Sequence, residues 1–151
     1  MSLPTTKNEL KMTKEEINVV YRIESVLKQL PQETIATEHI IHGGIYSRTI
    51  FMPKGLVITS AEIKIPTTLT ICGQAKIYLG NNLIEADGYI VVPASAGRKQ
   101  VIYAVSDVYL TMSFKTSSTT IEEVEQEFTD YYKDLISRHE DAVNIINITG
   151  E

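Results

Sequence analysis

Ala75-Lys76-Ile77-Tyr78-Leu79-Gly80-Asn81-Asn82-Leu83-Ile84-Glu85-Ala86-Asp87-Gly88-Tyr89-Ile90-Val91-Val92 is the stretch that decides the fold class. From Ala75 to Leu79 apolar and polar residues alternate, the period of a strand with one buried face. Gly80-Asn81-Asn82 then marks a hairpin turn, and Asp87-Gly88 marks a second. Between and after the turns come short runs rich in β-branched residues, which favour a pleated surface.

The same texture extends outward on both sides. Residues 45–52, 56–64 and 68–71 are strand-like on one side, and 101–105 and 108–114 on the other. They are separated by Pro53-Lys54-Gly55, by Pro66, by Gly73 and by the loop from Pro93 to Gly97. Roughly six to nine short strands with regular turns indicate a sandwich or barrel rather than βαβ units. The expected core of the fold is a mainly β domain over residues 40–115.

Helical periodicity brackets this region. Thr13 and Glu16 have the spacing of a capping box. Ile17, Val20, Ile23, Leu27 and Leu30 follow at intervals of three and four until Pro31 stops the run. This predicts a helix over residues 14–29, with 32–38 as a connector. Near the other end Thr119 or Thr120 is placed to cap a helix over 120–138. Its stripe is Ile121, Val124, Phe128, Tyr131 or Tyr132, and Leu135. Glu122, Glu123 and Glu125 lie early and Lys133 and Arg138 late, the polarity that suits the helix dipole. Val143, Ile145, Ile146 and Ile148 predict one more strand or an arm that docks on a partner. With 151 residues and no linker-like tract, the chain reads as one domain, 1–151.

The formal net charge of −5 gives no broad positive field, so nucleic acid is not an expected partner. No apolar run approaches the roughly 20 residues that span a bilayer, so no membrane partner is expected. The first residues show no charged segment leading into an apolar one, and no signal peptide is expected. The single cysteine, Cys72, sits in an apolar run and is expected to be a small buried hydrophobe. Together these features predict a cytoplasmic protein.

Residues 48–60, ending in Phe51-Met52-Pro53-Lys54-Gly55-Leu56, resemble the opening of the first cupin motif. Gly73-Gln74-Ala75 is similar to the glycine that closes that motif. Gly88-Tyr89-Ile90-Val91-Val92-Pro93, followed by Gly97, resembles the second motif, and residues 107–114 the final strand. The resemblance covers about residues 40–128 and rests on glycine and proline spacing. More narrowly, the order is similar to cupin-like (RmlC-type) proteins of unknown function encoded by bacteriophages and prophages. It implies a single jelly-roll barrel flanked by the two helices, commonly as a dimer or larger homo-oligomer. For a phage-encoded chain, it also implies location in the host cytoplasm or the virion.

The metal chemistry of that family is not carried over. A metal cupin needs two histidines and a carboxylate in the first motif and a histidine in the second. Here the matching stretches are Glu62-Ile63-Lys64-Ile65 and Arg98-Lys99-Gln100, with no histidine in either. No metal and no cofactor are expected. A relocated pair, His39 and His42 in Glu38-His39-Ile40-Ile41-His42-Gly43-Gly44, is the alternative, but residues three apart in an extended chain face opposite ways.

The side chains assigned to a barrel pocket are His42, Glu62, Lys64, Arg98 and Tyr103. Glu62 and Lys64 share a strand face: inward, they pair and hold a polar ligand; outward, they form a solvated pair worth little. Tyr46 and Arg48 also share a face, read as exposed or as an oligomer rim. No catalytic residue is assigned. The functional expectation is a non-enzymatic structural, assembly or interaction module that has lost the cupin metal site. The alternative is a metal-independent enzyme or a binder of a sugar-like small molecule.

Overall fold

The computed structural model describes residues 10–80 and 82–151. The residues in which no signal peptide is expected, and Asn81 of the expected hairpin turn, lie outside that set. The chain is mainly β and forms two sheets packed face to face, an arrangement compatible with a jelly roll.

Helix α1 spans Lys14–Leu27. Thr13 Oγ1 accepts from the Glu16 amide at 3.2 Å while Glu16 accepts from the Thr13 amide at 3.0 Å, so the expected capping box is present. The strands follow as β1 (Ala36–His42), β2 (Ile45–Met52), β3 (Val57–Thr59), β4 (Thr67–Cys72), β5 (Ala75–Tyr78), β6 (Leu83–Ala86), β7 (Tyr89–Ala94), β8 (Val101–Ala104) and β9 (Val108–Lys115). Helix α2 (Ile121–Phe128), two single 3-10 turns at Tyr132–Asp134 and Ile136–Arg138, and β10 (Val143–Ile148) complete the chain. One sheet has the order β10-β1-β2-β9-β4-β7 and the other β3-β8-β5-β6.

Alternation fixes which side chains enter the sandwich. On β9 Val108, Leu110, Met112 and Phe114 are buried while Tyr109 is exposed and Thr111 and Ser113 are half-buried. Leu69 and Ile71 of β4 join them from the same sheet. Ala75, Ile77, Ile102 and Ala104 meet them from the second sheet. Gly73 carries the chain from one sheet to the other at φ +125; a Cβ there would sit 2.4 Å from the Asp107 carbonyl oxygen. Gly80 serves a close approach instead, since a Cβ would meet Glu16 of α1 at 2.7 Å.

Several expectations are corrected. The C-terminal helix is much shorter than 120–138: it stops at Phe128, whose carbonyl accepts from the Lys64 amide at 2.8 Å. Thr129 then turns extended, at φ −150 and ψ 144, so the stripe beyond it is carried by 3-10 turns. The β region begins at residue 36 rather than 40, because Ala36, Thr37 and Glu38 pair with β2 or β10 instead of forming connector. Cys72 is exposed, because inward Leu69 and Ile71 turn it to the outer face. Of the two forms expected for the tail, a strand or an arm, the strand is present: β10, parallel to β1.

Candidate functional site

Two polar assemblies lie at the junctions between the sandwich and its flanking segments. The first is built on β1 and β2. His39 and Arg48 are register partners, as are Ile41 and Tyr46, and all four face inward. This part of the face is covered by α2 and the 3-10 turns rather than by the second sheet. Phe128 stacks 6.4 Å from Tyr46, and Arg48 lies 5.4 Å from its ring centroid.

Glu125 is the hub. Its carboxylate accepts from Arg48 Nη1 at 3.1 Å, from Ser137 Oγ at 2.5 Å and from Arg138 Nε at 2.6 Å. Arg48 Nη2 also donates to Ser137 Oγ at 3.0 Å. Glu125 is 1% exposed and Arg48 9%, so each charge depends on the other for compensation. His39 extends the network, with Nε2 2.7 Å from Asn144 Oδ1 and Nδ1 2.7 Å from Tyr46 Oη. Asn144 Nδ2 donates to the Ser137 carbonyl at 2.9 Å, which leaves Oδ1 as acceptor. His39 therefore carries its proton on Nε2, and Tyr46 donates to Nδ1. Burial holds the His39 pKa below its ordinary value, with Arg48 adding to the effect. Burial likewise pushes Tyr46 up.

The second assembly is a seam between α1 and the edge of the sandwich. Lys99 is 3% exposed; its Nζ donates to Glu24 Oε2 at 2.7 Å and to the Ser60 carbonyl at 2.6 Å. It also lies 4.6 Å from the centroid of the Tyr21 ring. Thr59 Oγ1 donates to the same Glu24 oxygen at 2.6 Å. Burial raises the Glu24 pKa, but Lys99 and Thr59 outweigh it and the net direction is down. The Tyr21 hydroxyl donates to Glu62, and burial together with that carboxylate holds its pKa well above the usual value.

The five residues assigned to a pocket do not meet. His42 is exposed at the β1–β2 turn and contacts Thr149 Oγ1 at 2.6 Å. Glu62 and Lys64 face outward, as the apolar row Ala61, Ile63 and Ile65 requires, yet they do not pair with each other. Glu62 takes Tyr21 of α1, and Lys64 takes Asp130 just beyond α2 at 2.7 Å. Arg98 is buried, with Nη1 donating to the Ser95 carbonyl at 2.9 Å and Nη2 to Thr67 Oγ1 at 2.7 Å. Burial lowers its pKa to about 10, so it remains charged at neutral pH. Tyr103 is exposed on the outer face of the second sheet. Tyr46 and Arg48, expected at the surface, are buried instead, because α2 covers their face.

Glu125 carries a sequence signal for burial: it lies four residues after Ile121 and three before Phe128, on the apolar stripe itself. Ser137 carries none, since its role depends on a 3-10 turn.

The donor set does not fit a divalent ion between the sheets. The inward residues there are apolar, with Met52, Met112 and the Arg98 guanidinium 3.8 Å from Met112 Sδ, and no carboxylate or imidazole lies among them. His39 and His42 lie on opposite faces of β1, one buried and one exposed, so they cannot chelate together. Among the described residues no three of His, Cys, Asp and Glu are grouped to hold a metal. A shallow surface cleft, lined by residues 32–35, Ile136, His139, Asp141 and Ala142, lies outside both assemblies.

No protein-family model and no curated protein matches this sequence. Solved structures of similar shape include a cupin superfamily protein from Desulfitobacterium hafniense, 11% identical, with TM-score 0.47 over 61% of this chain and 88% of that one. Ectoine synthase from P. lautus is 15% identical, with TM-score 0.48 over 65% and 75%. A conserved protein of unknown function from Streptococcus pyogenes is 20% identical, with TM-score 0.42 over 58% and 79%. These are likenesses of shape alone. No described helix is long and apolar enough to cross a membrane.

Proposed function

We propose that this chain is a cupin-like structural, assembly or interaction module of the phage and prophage type that associates with copies of itself. One observation carries the reading: apolar side chains fill most of the space between the sheets, Arg98 is held there by Thr67 and backbone carbonyls, and the paired buried charges fasten the flanking segments. Arg48, Glu125 and Arg138 hold the segment after β9, and Lys99 and Glu24 hold α1. Each of these groups has a partner within the chain, and among the described residues only Thr37 Oγ1, Gln100 Oε1 and Arg138 Nη2 are buried side-chain atoms without one. The phage assignment is supported only by the order of glycine- and proline-spaced segments in the sequence.

The test is a thermal-shift and calorimetric panel on the full chain with Mn²⁺, Fe²⁺, Ni²⁺, Zn²⁺, hexoses and nucleotide sugars. The expected result is no saturable binding. Stoichiometric, saturable binding of any of these would overturn the reading in favour of a binder or enzyme.

A further inference from the structure

Four strands end the two sheets, and three of them are closed to a newcomer. β7 carries Pro93, and Leu10 is clamped against it, its amide donating to the Pro93 carbonyl and its carbonyl accepting from Ser95, both at 3.0 Å. β3 has three residues and lies against α1, where Thr59 is tied to Glu24. β6 has four residues and carries the charge of Glu85. Proline, shortness, charge and a covering element are the usual devices that stop sheets from joining edge to edge.

β10 has none of them. All six of its residues are exposed, none is charged, and none is proline. Val143, Ile145, Ile146 and Ile148 are each 43–56% exposed, on both faces of the strand. Among the described residues no strand pairs with its far side. The Thr149 amide donates to the Ile41 carbonyl and the Glu151 carbonyl accepts from Gly43, both at 3.1 Å. Odd-numbered residues therefore direct their backbone groups toward β1, and Asn144, Ile146 and Ile148 direct theirs away.

We infer that β10 pairs antiparallel with β10 of a second copy, across a two-fold axis at Ile146. Only an extended strand with an open edge complements this row of donors and acceptors. β10 itself is the one strand among those described that offers such an edge without a guard. Paired residues must share a face of the sheet, so the two residue numbers in each pair sum to an even number. Centring on Ile146 uses every outward-directed residue: Ile146 meets its own copy and Asn144 meets Ile148. The apolar side chains then cover one another, and two six-stranded sheets become one. Because the contact is isologous and the remaining edges are guarded, assembly closes at the dimer. Six residues are fewer than the roughly 20–30 a side of a standard interface, so the dimer should dissociate on dilution.

This inference rests on the self-association reading and names its surface. Sedimentation equilibrium of the full chain, up to about millimolar concentration where a weak interface of this kind is populated, is the test. The expected species is a dimer of a 16.9 kDa chain. Ile146→Pro removes only an outward-facing donor and leaves the β1 ladder whole, so it should weaken the dimer about tenfold or more without changing the circular dichroism. Ile146→Lys, at an exposed side chain, should do the same. In a Cys72→Ser background, Ile146→Cys should oxidise to a covalent dimer and Thr70→Cys should not. A dimer insensitive to both Ile146 substitutions overturns this interface and leaves self-association standing. A chain that stays monomeric throughout overturns both.

Discussion

Ile71 and His39 lie on the same side of the same sheet, and both are sealed from water, yet their surroundings differ completely. Ile71 sits with Leu110, Leu69 and Val108 under the second sheet, in a region of hydrocarbon. His39 sits with Arg48, Tyr46 and Glu125 under α2 and the 3-10 turns. A strand brings its own ladder of backbone bonds, so a second sheet can be laid on a face by apolar area alone. A short helix followed by single turns brings few such bonds. Its position is set by side chains that must find particular partners, and a buried network supplies that direction. The polar half of the face is accordingly a fastening, and the apolar half is a core.

The largest expected effect comes from breaking the fastening on one side only. Glu125→Ala strands Arg48 beneath α2 and takes the carboxylate from Arg138, whose side chain is 25% exposed, and loss of one partner from a buried pair costs about 3–5 kcal/mol. Urea denaturation monitored by circular dichroism measures it. The double variant Arg48→Met/Glu125→Leu should recover a large part of that loss, because an apolar replacement leaves no buried charge unpaired at this pair. If the double variant is less stable than Glu125→Ala, the network contributes more than fastening.

In the apolar half, Ile77→Ala should cost about 2–5 kcal/mol through lost burial and a residual cavity, measured in the same way. Unlike the Glu125 loss, it should not be relieved by a compensating change on α2.

Much of the apolar half was legible in the sequence, and little of the polar half. Alternation in residues 75–79 and 108–114 marks inward positions directly, and those residues are indeed inward. The turns were legible because glycine and proline act locally. Arg48 and Glu125 are 77 residues apart, and no local pattern joins them. Arg48 therefore read as an exposed charge, although its strand neighbours Tyr46, Ile50 and Met52 share its inward face. The end of α2 was illegible for the same reason: the Phe128 carbonyl is taken by Lys64, a residue 64 positions earlier. His42, Glu62, Lys64, Arg98 and Tyr103 share polarity, but their contacts are set by elements distant in sequence, which place them apart.

A smaller effect separates the halves by pH. The His39 pKa is lower in the folded chain than in the unfolded one, chiefly through burial. Below the unfolded value, about 6.5 for histidine, the unfolded chain takes up a proton that the folded chain resists. Stability is therefore full above about pH 6.5 and declines as pH falls through that value toward the folded pKa. His39→Gln should flatten this part of the profile, measured by urea denaturation between about pH 5 and 7. A wild-type profile that rises on acidification would contradict the neutral, Nε2-protonated assignment. The smallest effect is at His42, whose exposed contact with Thr149 should make His42→Ala change stability by no more than about 0.5 kcal/mol.

Native-state hydrogen exchange of Glu125→Gln against the wild type tests the fastening most directly. The expected result is faster exchange confined to α2, the 3-10 turns and β10, with β4, β5 and β9 protected as before. Exchange that is unchanged in the C-terminal segment, or accelerated equally in both sheets, would contradict it.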